Sequence, residues 1–354
     1  MCNDIDTLPS FAIPSHRSLV RARRFAEGLG SFEDVFCLDN LVASALLCKN
    51  GVSWKREVQS FHLNLVLNCS TLRNELMDGT YHLTPGKRFT ICERSKPRDI
   101  IACAYRDRVV QRTLCDRVLV PAVRRVIIFD NAACIPRRGT TFALKRLVRH
   151  LREHARCHGT GGGLLLYDFS KYFASVRVEL VMQIFGQIVF DARLLALLRL
   201  TLEGAPRGLG LGNQTSQVAA VLYPNPVDHW AKDKVRVAGY GRYMDDGYAL
   251  FGEWDEARDF ARSFEVRCAA LGLSLNPKKT RVLHPSEEFT FLKTRFRLRA
   301  NGEVCKRLPA ETYRRRQRHV AGMERLVREG VLGPDDLVAS EASWRSVLLR
   351  VDRA

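Results

Sequence analysis

The sequence Tyr243-Met244-Asp245-Asp246 places two acidic residues side by side between two short apolar stretches. Tyr240 comes before the pair and Tyr248-Ala249-Leu250-Phe251 follows it, which indicates a strand, a tight turn and a second strand. Adjacent carboxylates repel each other unless a positive charge lies close by. Mg²⁺ supplies such a charge, and it commonly takes one or two carboxylates together with substrate phosphates. The pattern predicts a metal site at a hairpin tip, with an acidic turn of no functional role as the alternative.

A second acid, Asp168, ends the apolar run Leu164-Leu165-Leu166-Tyr167, which follows a glycine-rich loop. The run is typical of a buried strand with Asp168 at its carboxyl end. Two metal ions about 3.5–4 Å apart need carboxylates from separate elements, so that each can touch one oxygen of a phosphoryl displacement. Asp168, together with Asp245 and Asp246, supplies that set. Asp168 also suits a helix N-cap, but a cap does not explain its pairing with a distant Asp-Asp.

The order of these motifs resembles a bacterial reverse transcriptase over roughly residues 35 to 300. Two catalytic motifs, a positioning segment, a lysine turn and a hairpin carry the resemblance: Asp168–Phe173, Tyr243–Asp246, Arg207–Gln217, Leu275–Thr280 and Phe289–Phe296. The resemblance implies an α+β right-hand polymerase with fingers, a palm containing an antiparallel sheet, and a short helical thumb. It also implies an RNA-directed DNA polymerase, a nucleotidyltransferase that uses an RNA template, a DNA or RNA primer and dNTPs.

The resemblance assigns roles to the acidic residues and to one lysine. Asp168, Asp245 and the backbone carbonyl of Phe169 would hold two Mg²⁺ ions, for which Mn²⁺ can substitute. Asp246 belongs to the same metal site and would mainly buttress the hairpin. Lys279 would donate a proton to the leaving pyrophosphate, with Lys278 as its competitor.

Other residues are assigned to the incoming nucleotide. Phe173 would exclude a 2′-hydroxyl, and its alternative role is that of a core aromatic. Lys96 and Arg98 are two apart and therefore face the same side of a strand, where they would contact the triphosphate. Arginine suits phosphate because its planar fork donates in pairs; the alternative is a solvated basic strand. Leu211, Gly212 and Gln217 belong to the positioning segment, which would contact the nucleotide and the template.

The centre of the positioning segment separates the groups of reverse transcriptase. Retroviral, group II intron and retron enzymes commonly have Pro-Gln-Gly where this chain has Gly210-Leu211-Gly212. Leucine supplies shape without a hydrogen bond, and sites built on hydrogen bonds discriminate better than apolar pockets. Gly212–Gln217 resembles the pattern of diversity-generating retroelement enzymes, which miscopy template adenines, although the segment lacks that group's proline. An antiphage-defence, unassigned or retron-like enzyme that uses a cognate noncoding RNA is the alternative.

Positive charge is concentrated in one part of the chain. The 354 residues carry a net charge of +18, and Lys87–Arg156 holds 18 Lys and Arg against 6 Asp and Glu, a net of +12. Such a concentration predicts a polyanionic partner, here nucleic acid. The residues assigned to this contact are Arg106, Arg137, Arg138, Arg314, Arg315 and Arg318. The last three lie on a predicted thumb helix, whose alternative role is a solvated face.

Cysteine usage and the chain ends bear on location. Eleven cysteines without a C-x-x-C pair indicate reduced thiols in the cytoplasm, not a disulfide framework. His154, Cys157 and His158 have no second ligand cluster, which argues against zinc. No secretory signal and no apolar run long enough for a membrane span is found, so no membrane partner is expected.

Two rival functions and a domain division complete the prediction. A catalytically silent RNA-binding protein is disfavoured because all three aspartates are present, and an RNA-dependent RNA polymerase is disfavoured by Phe173 and Met244. A cognate structured RNA and a small accessory protein are the expected partners. The predicted segments are an N-terminal extension (1–34), fingers with the start of the palm (35–158), palm (159–300) and short thumb (301–354).

Overall fold

The computed structural model describes residue 28 and residues 30–93, 96–203 and 207–352. The chain divides into two compact units. The first contains the described residues up to Ile128, with Ser170–Trp230 and Val266–Ser274; the second contains Phe129–Phe169, Ala231–Glu265 and the residues from Leu275 onward. The predicted boundaries after residues 34, 158 and 300 stay a prediction, and segment 1–34 lies mostly outside the described residues.

Helices and short strands alternate along the chain. The helices are α1 (Phe32–Val35), α2 (Leu38–Cys48), α3 (Arg56–Leu63), α4 (Leu65–Met77), α5 (Tyr105–Leu114), α6 (Val120–Val126), α7 (Thr140–His158), α8 (Tyr172–Ser175), α9 (Val178–Phe185), α10 (Ala192–Leu202), α11 (Gln214–Leu222), α12 (Asn225–His229), α13 (Trp254–Ala270), α14 (Ala310–Arg328) and α15 (Pro334–Asp352). The strands are β1 (Lys87–Glu93), β2 (Lys96–Ala102), β3 (Gly163–Asp168), β4 (Gly239–Tyr243), β5 (Asp246–Phe251), β6 (Arg281–Leu283), β7 (Phe289–Phe291), β8 (Thr294–Leu298) and β9 (Val304–Arg307). Two π-helical turns, Cys115–Leu119 and Trp230–Lys234, adjoin α5 and α12.

The first unit is mainly helical. Its β1 and β2 form an antiparallel hairpin, and α11 packs against α5 and α10. Helix α11 follows the positioning segment and is almost wholly buried, because small and branched apolar residues fill the centre of the unit along Val218–Leu222. Helix α5, a π turn and α6 follow one another without a break from Tyr105 to Val126.

The second unit is built on a four-stranded antiparallel sheet in the order β4-β5-β3-β6. Strand β3 lies between β5 and β6 in this sheet, and all six of its residues are buried. Strands β4 and β5 form the hairpin predicted around the Asp-Asp pair. Asp168 of β3 is paired directly with Asp246 of β5. Directly opposed residues point to the same face, so the sheet register brings these two carboxylates together.

One hydrophobic core joins α7, this sheet and a second, three-stranded sheet of β7, β8 and β9. The predicted hairpin at Phe289–Phe296 is confirmed as β7 and β8. Helix α7 buries apolar residues at helical spacing, and its core side chains meet strand residues from both sheets. The main contributors are Leu144, Leu147, Leu151, Leu164, Leu166, Tyr248, Leu250, Phe289, Phe296 and Leu298.

The last two helices pack against each other. The rings of Tyr313 in α14 and Trp344 in α15 are 5.7 Å apart in an edge-on arrangement. Arg316 of α14 lies over the Trp344 ring and donates a hydrogen bond of 2.6 Å to the Ser340 hydroxyl. Trp344 is therefore the centre of the contact between α14 and α15.

Two further predictions concern cysteines and membranes. All ten cysteines in the described part of the chain are free thiols. In the same part of the chain, none of the helices combines the length and the apolar character that crossing a membrane requires.

Candidate active site

Asp168 ends β3 and is 4% exposed. The turn that precedes β6 contacts it twice: Lys279 Nζ forms an ion pair with Oδ1, and Asn276 Nδ2 donates to Oδ2 at 3.0 Å. The Asn276 backbone N–H also donates to the Asp168 carbonyl at 2.7 Å. The carboxylate is thus held in one orientation at the end of its strand.

The hairpin tip is fixed by its backbone. Met244 has a left-handed φ of 56°, which allows the chain to reverse between Tyr243 and Asp245. Arg242, which is 1% exposed, donates to the Met244 carbonyl at 2.9 Å. The Phe169 backbone N–H donates to the Asp245 carbonyl at 3.1 Å, which ties the tip to the residue after Asp168.

The acidic residues perturb one another. Burial, a hydrogen bond with Asp168 and the nearby charges of Asp245 and Asp168 raise the pKa of Asp246 to about 7. Burial alone would lower the pKa of Lys279, but its ion pair with Asp168 and the charges of Asp246 and Asp245 raise it. The site thus contains one carboxyl group, that of Asp246, which resists ionisation, and a lysine that stays protonated.

These side chains fit divalent metal ions whose coordination shell is completed by a substrate. Within the described residues, no three His, Cys, Asp or Glu side chains are arranged as a finished metal cage. Asp168 is instead neutralised by Lys279, and Asp246 is hydrogen-bonded to Asp168. Hard oxygen donors with excess negative charge match Mg²⁺, which takes its remaining ligands from water and phosphate. The alternative zinc ligand His154 instead makes a 2.8 Å hydrogen bond with the Gly161 carbonyl.

A buried charged cluster supports the hairpin, and the sequence did not reveal it. Asp130 is held by Arg146 at 2.5 Å and by Lys232 at 2.9 Å. His150 of α7 contacts the Tyr248 hydroxyl of β5 at 2.9 Å and lies 3.8 Å from Asp130. The Asp130 carbonyl accepts a hydrogen bond of 3.1 Å from the backbone N–H of Arg242 in β4. Both strands of the hairpin are thereby connected to this cluster.

The cluster predicts a specific pH dependence of stability. Burial lowers the pKa of His150 to about 4, although Asp130 acts in the opposite direction and Lys232 and Arg146 reinforce the shift. Between pH 6.5 and 4 the unfolded chain therefore binds a proton that the folded chain does not, so stability falls as the pH falls. The expected loss across this window is about 3 kcal/mol.

Urea unfolding at pH 7 and pH 5 tests this prediction. His150→Gln is expected to flatten the dependence of the unfolding free energy on pH, whereas His82→Gln, at an exposed histidine, is expected to retain it. Equal slopes in both variants and in the natural chain would show that His150 does not control acid stability.

The residues predicted to contact the nucleotide belong to the first unit. Phe173 is half-buried, and its carbonyl accepts a hydrogen bond of 2.8 Å from the Leu209 N–H. The Leu211 carbonyl accepts from the Ile101 N–H of β2 at 3.1 Å. Gly212 has φ +113°, and a Cβ there would lie 2.8 Å from the Ile101 carbonyl, so glycine is required. Gln217 is exposed on α11.

The predicted basic contacts differ in their surroundings. Lys96 and Arg98 lie in β2, as expected, but their side chains fall outside the described part of the structure. Arg106 is already paired with Glu75, and Arg138 donates to the Asn131 carbonyl at 2.9 Å. The exposed residues of the set are Arg137, Arg314, Arg315 and Arg318. Their contact with nucleic acid stays a prediction.

Comparison with known proteins identifies the family. The family model described as "Reverse transcriptase (RNA-dependent DNA polymerase)" matches residues 87–296, more than half of the chain, and this region includes the whole acidic site. This chain belongs to the reverse transcriptase family. Membership places it among the RNA-directed DNA polymerases, and the predicted α+β right-hand polymerase fold is confirmed.

Individual relatives of this reverse transcriptase are distant. It is 25% identical to Protein YkfC of Escherichia coli (strain K12) over 274 residues, which cover 64% of this chain and 71% of YkfC. It is also similar to the telomerase of Candida albicans, solved in complex with a fragment of telomeric RNA, with a TM-score of 0.48 and 11% identity. That match covers 61% of this chain and 44% of the telomerase chain, so it spans less than half of the solved protein.

Proposed function

We propose that this reverse transcriptase makes cDNA on an RNA template by two-metal nucleotidyl transfer at Asp168, Asp245 and Asp246. The observation that carries the proposal is the register of β3 and β5, which sets Asp168 opposite Asp246 with Lys279 beside them. Three ionised carboxylates this close together would be costly without bound cations, since Asp246 already resists ionisation. Divalent metal ions would relieve that cost in the working complex, and the triphosphate would complete their coordination.

The metal ions and the protein residues would divide the chemistry. Two Mg²⁺ ions held by Asp168, Asp245 and the Phe169 carbonyl would supply an activated primer 3′-hydroxyl and a stabilised triphosphate. Asn276 would keep Asp168 oriented through its 3.0 Å hydrogen bond. Lys279, which its ion pair with Asp168 keeps protonated, would be released from Asp168 and donate its proton to the leaving pyrophosphate.

The nucleotide would be selected by residues of the first unit. Phe173 would exclude the 2′-hydroxyl, and Lys96 and Arg98 would contact the triphosphate. Leu211, Gly212 and Gln217 would position the nucleotide and the template. The hydrogen bond between Ile101 and Leu211 supports this assignment, because it connects the positioning segment to the strand that carries Lys96 and Arg98.

We further propose that copying is error-prone at template adenine, as in a diversity-generating retroelement. Leu211 has no side-chain hydrogen-bonding group, so it offers the base pair shape alone. The cognate structured RNA and a small accessory protein would determine where synthesis starts. A defence or retron-like role would use the same chemistry on its own noncoding RNA.

Primer extension tests the proposed reaction. The natural chain is expected to extend a DNA primer annealed to an RNA template with dNTPs and Mg²⁺. The Asp245→Ala/Asp246→Ala double variant is expected to give no product, because the metal ligands are removed. Sequencing the cDNA is expected to show errors concentrated opposite adenine.

The outcomes separate the alternatives. Errors spread evenly over all four template bases would contradict the diversity-generating assignment and leave the polymerase intact. No extension by the natural chain, even with RNA expressed from its own locus, would favour a catalytically silent RNA-binding protein. Product from ribonucleotides alone would favour an RNA-dependent RNA polymerase.

A further inference from the structure

Helix α7 presents a row of four exposed basic side chains: Lys145, Arg149, Arg152 and Arg156. At about 100° per residue they fall within an arc of about 60°, and at 1.5 Å per residue they span about 16 Å. The apolar side chains of the same helix point the other way, into the core of the second unit. We call these four residues the α7 basic row.

Solubility alone does not account for the α7 basic row. In α13 the exposed charged side chains are of both signs: Asp255, Glu256, Arg258, Asp259, Arg262 and Glu265. Arg262 and Asp259 pair there at 2.7 Å. The exposed part of α7 has a single acid beside its row, Glu153, which pairs with Arg149 at 2.8 Å. Four like charges along one helix face repel each other by a few tenths of a kcal/mol per pair, and an anionic partner would offset that repulsion.

We propose that the α7 basic row binds the phosphate backbone of an RNA duplex other than the primer–template hybrid. A regular row of Arg and Lys suits successive phosphates, whereas a protein partner would need apolar anchors, and the four side chains of the row supply none. Helix α7 is itself about 10 Å thick and lies between the row and the sheet of Asp168 and Asp246. RNA held on its outer face is therefore separated from the reacting strand. Binding of RNA to this row does not require polymerase activity.

Binding of a labelled RNA hairpin tests the proposal. The probe is a fluorescein-labelled RNA hairpin, measured by anisotropy from 50 to about 300 mM salt, with excess unlabelled primer–template hybrid present. Substituting all four residues of the row with glutamine preserves helix propensity and removes four charges. The expected result is roughly 10- to 100-fold weaker binding at about 0.1 M salt. The slope of log affinity against log salt is expected to fall by about 3.

A matched pair of double variants makes the test specific. Each double variant removes two exposed arginines that lie four positions apart in one helix. The α7 pair is Arg152→Gln/Arg156→Gln, and the α13 pair is Arg258→Gln/Arg262→Gln. The α7 pair is expected to reduce the salt slope by about 1.5 and the α13 pair to leave it unchanged. Equal affinities and slopes for the two pairs would overturn the proposal.

Primer extension on a short hybrid keeps this result separate from the polymerase assignment. Variants of the α7 basic row are expected to extend a short primer at the natural rate while losing affinity for the labelled RNA hairpin. An inactive natural chain would count against the proposed reaction, and the hairpin measurement would still decide the role of the α7 basic row.

Discussion

Replacing Asp168 with asparagine is expected to reduce RNA-templated DNA synthesis by roughly a thousandfold or more, about 4 kcal/mol of transition-state stabilisation. Asparagine keeps the size and the hydrogen bond from Asn276 but removes the charge that would hold divalent ions. The substitution also removes the ion pair with Lys279, whose side chain is 55% exposed, so that loss is expected to cost little stability. It relieves repulsion with Asp246 as well.

Activity and stability are therefore expected to separate in Asp168→Asn. Single-turnover extension and thermal unfolding, measured on the same preparation, test this expectation. The matched control is Asp259→Asn, which removes an exposed aspartate from an ion pair with Arg262 in α13. The control is expected to keep natural activity. Extension within tenfold of the natural rate in Asp168→Asn would rule out a metal-holding role for this residue.

Phe173→Ala is expected to increase the use of ribonucleotides relative to deoxynucleotides by roughly a hundredfold, the discrimination that a shape-based contact supplies against one added hydroxyl. The local structure supports a contact role. Tyr172 is 4% exposed and its hydroxyl donates to the Ala220 carbonyl, so it is the core aromatic at this position. Phe173 is only half-buried, and the Leu209 hydrogen bond fixes its backbone.

Competition between a dNTP and the matching rNTP in single-nucleotide insertion measures this effect. Phe190→Ala provides the control, because Phe190 is a half-exposed phenylalanine of the same unit with no proposed nucleotide contact. The control is expected to keep the natural ratio. An unchanged ratio in Phe173→Ala would show that the ring does not face the sugar.

The acidic site was predictable because its signals are local. A short apolar run that ends in Asp168, and an Asp-Asp pair between two more apolar runs, define two strand ends without any tertiary information. Once β3 and β5 pair, the alternation of side chains along each strand places the carboxylates of Asp168 and Asp246 on the same face. The family resemblance supplied the expectation that the two ends meet.

The support of the site was not predictable from spacing. Asn276 meets Asp168 across 108 positions of sequence, and His150 meets Tyr248 across 98. No periodicity connects residues so far apart, and Asp130 looks like an ordinary loop acid until Arg146 and Lys232 are placed around it. These contacts depend on how α7 packs on the sheet.

Charge counting likewise predicts a partner better than it predicts individual contacts. Arg106 and Arg138 lie in the basic part of the chain, but the first pairs with Glu75 and the second donates to a backbone carbonyl. The four side chains of the α7 basic row lie in the same part of the chain and are exposed, and of them Arg149 pairs with Glu153. Which arginines remain available is decided by tertiary packing, which sequence composition does not specify.

Counting bound Mn²⁺ by electron paramagnetic resonance tests the central claim most directly. The sample is the natural chain with an RNA template, a dideoxy-terminated DNA primer and the matching dNTP. Two Mn²⁺ ions with the magnetic coupling of a pair about 3.5–4 Å apart are predicted for the natural chain, and at most one for Asp168→Asn. A coupled pair that persists in Asp168→Asn, or is absent from the natural complex, would contradict two-metal catalysis at this site.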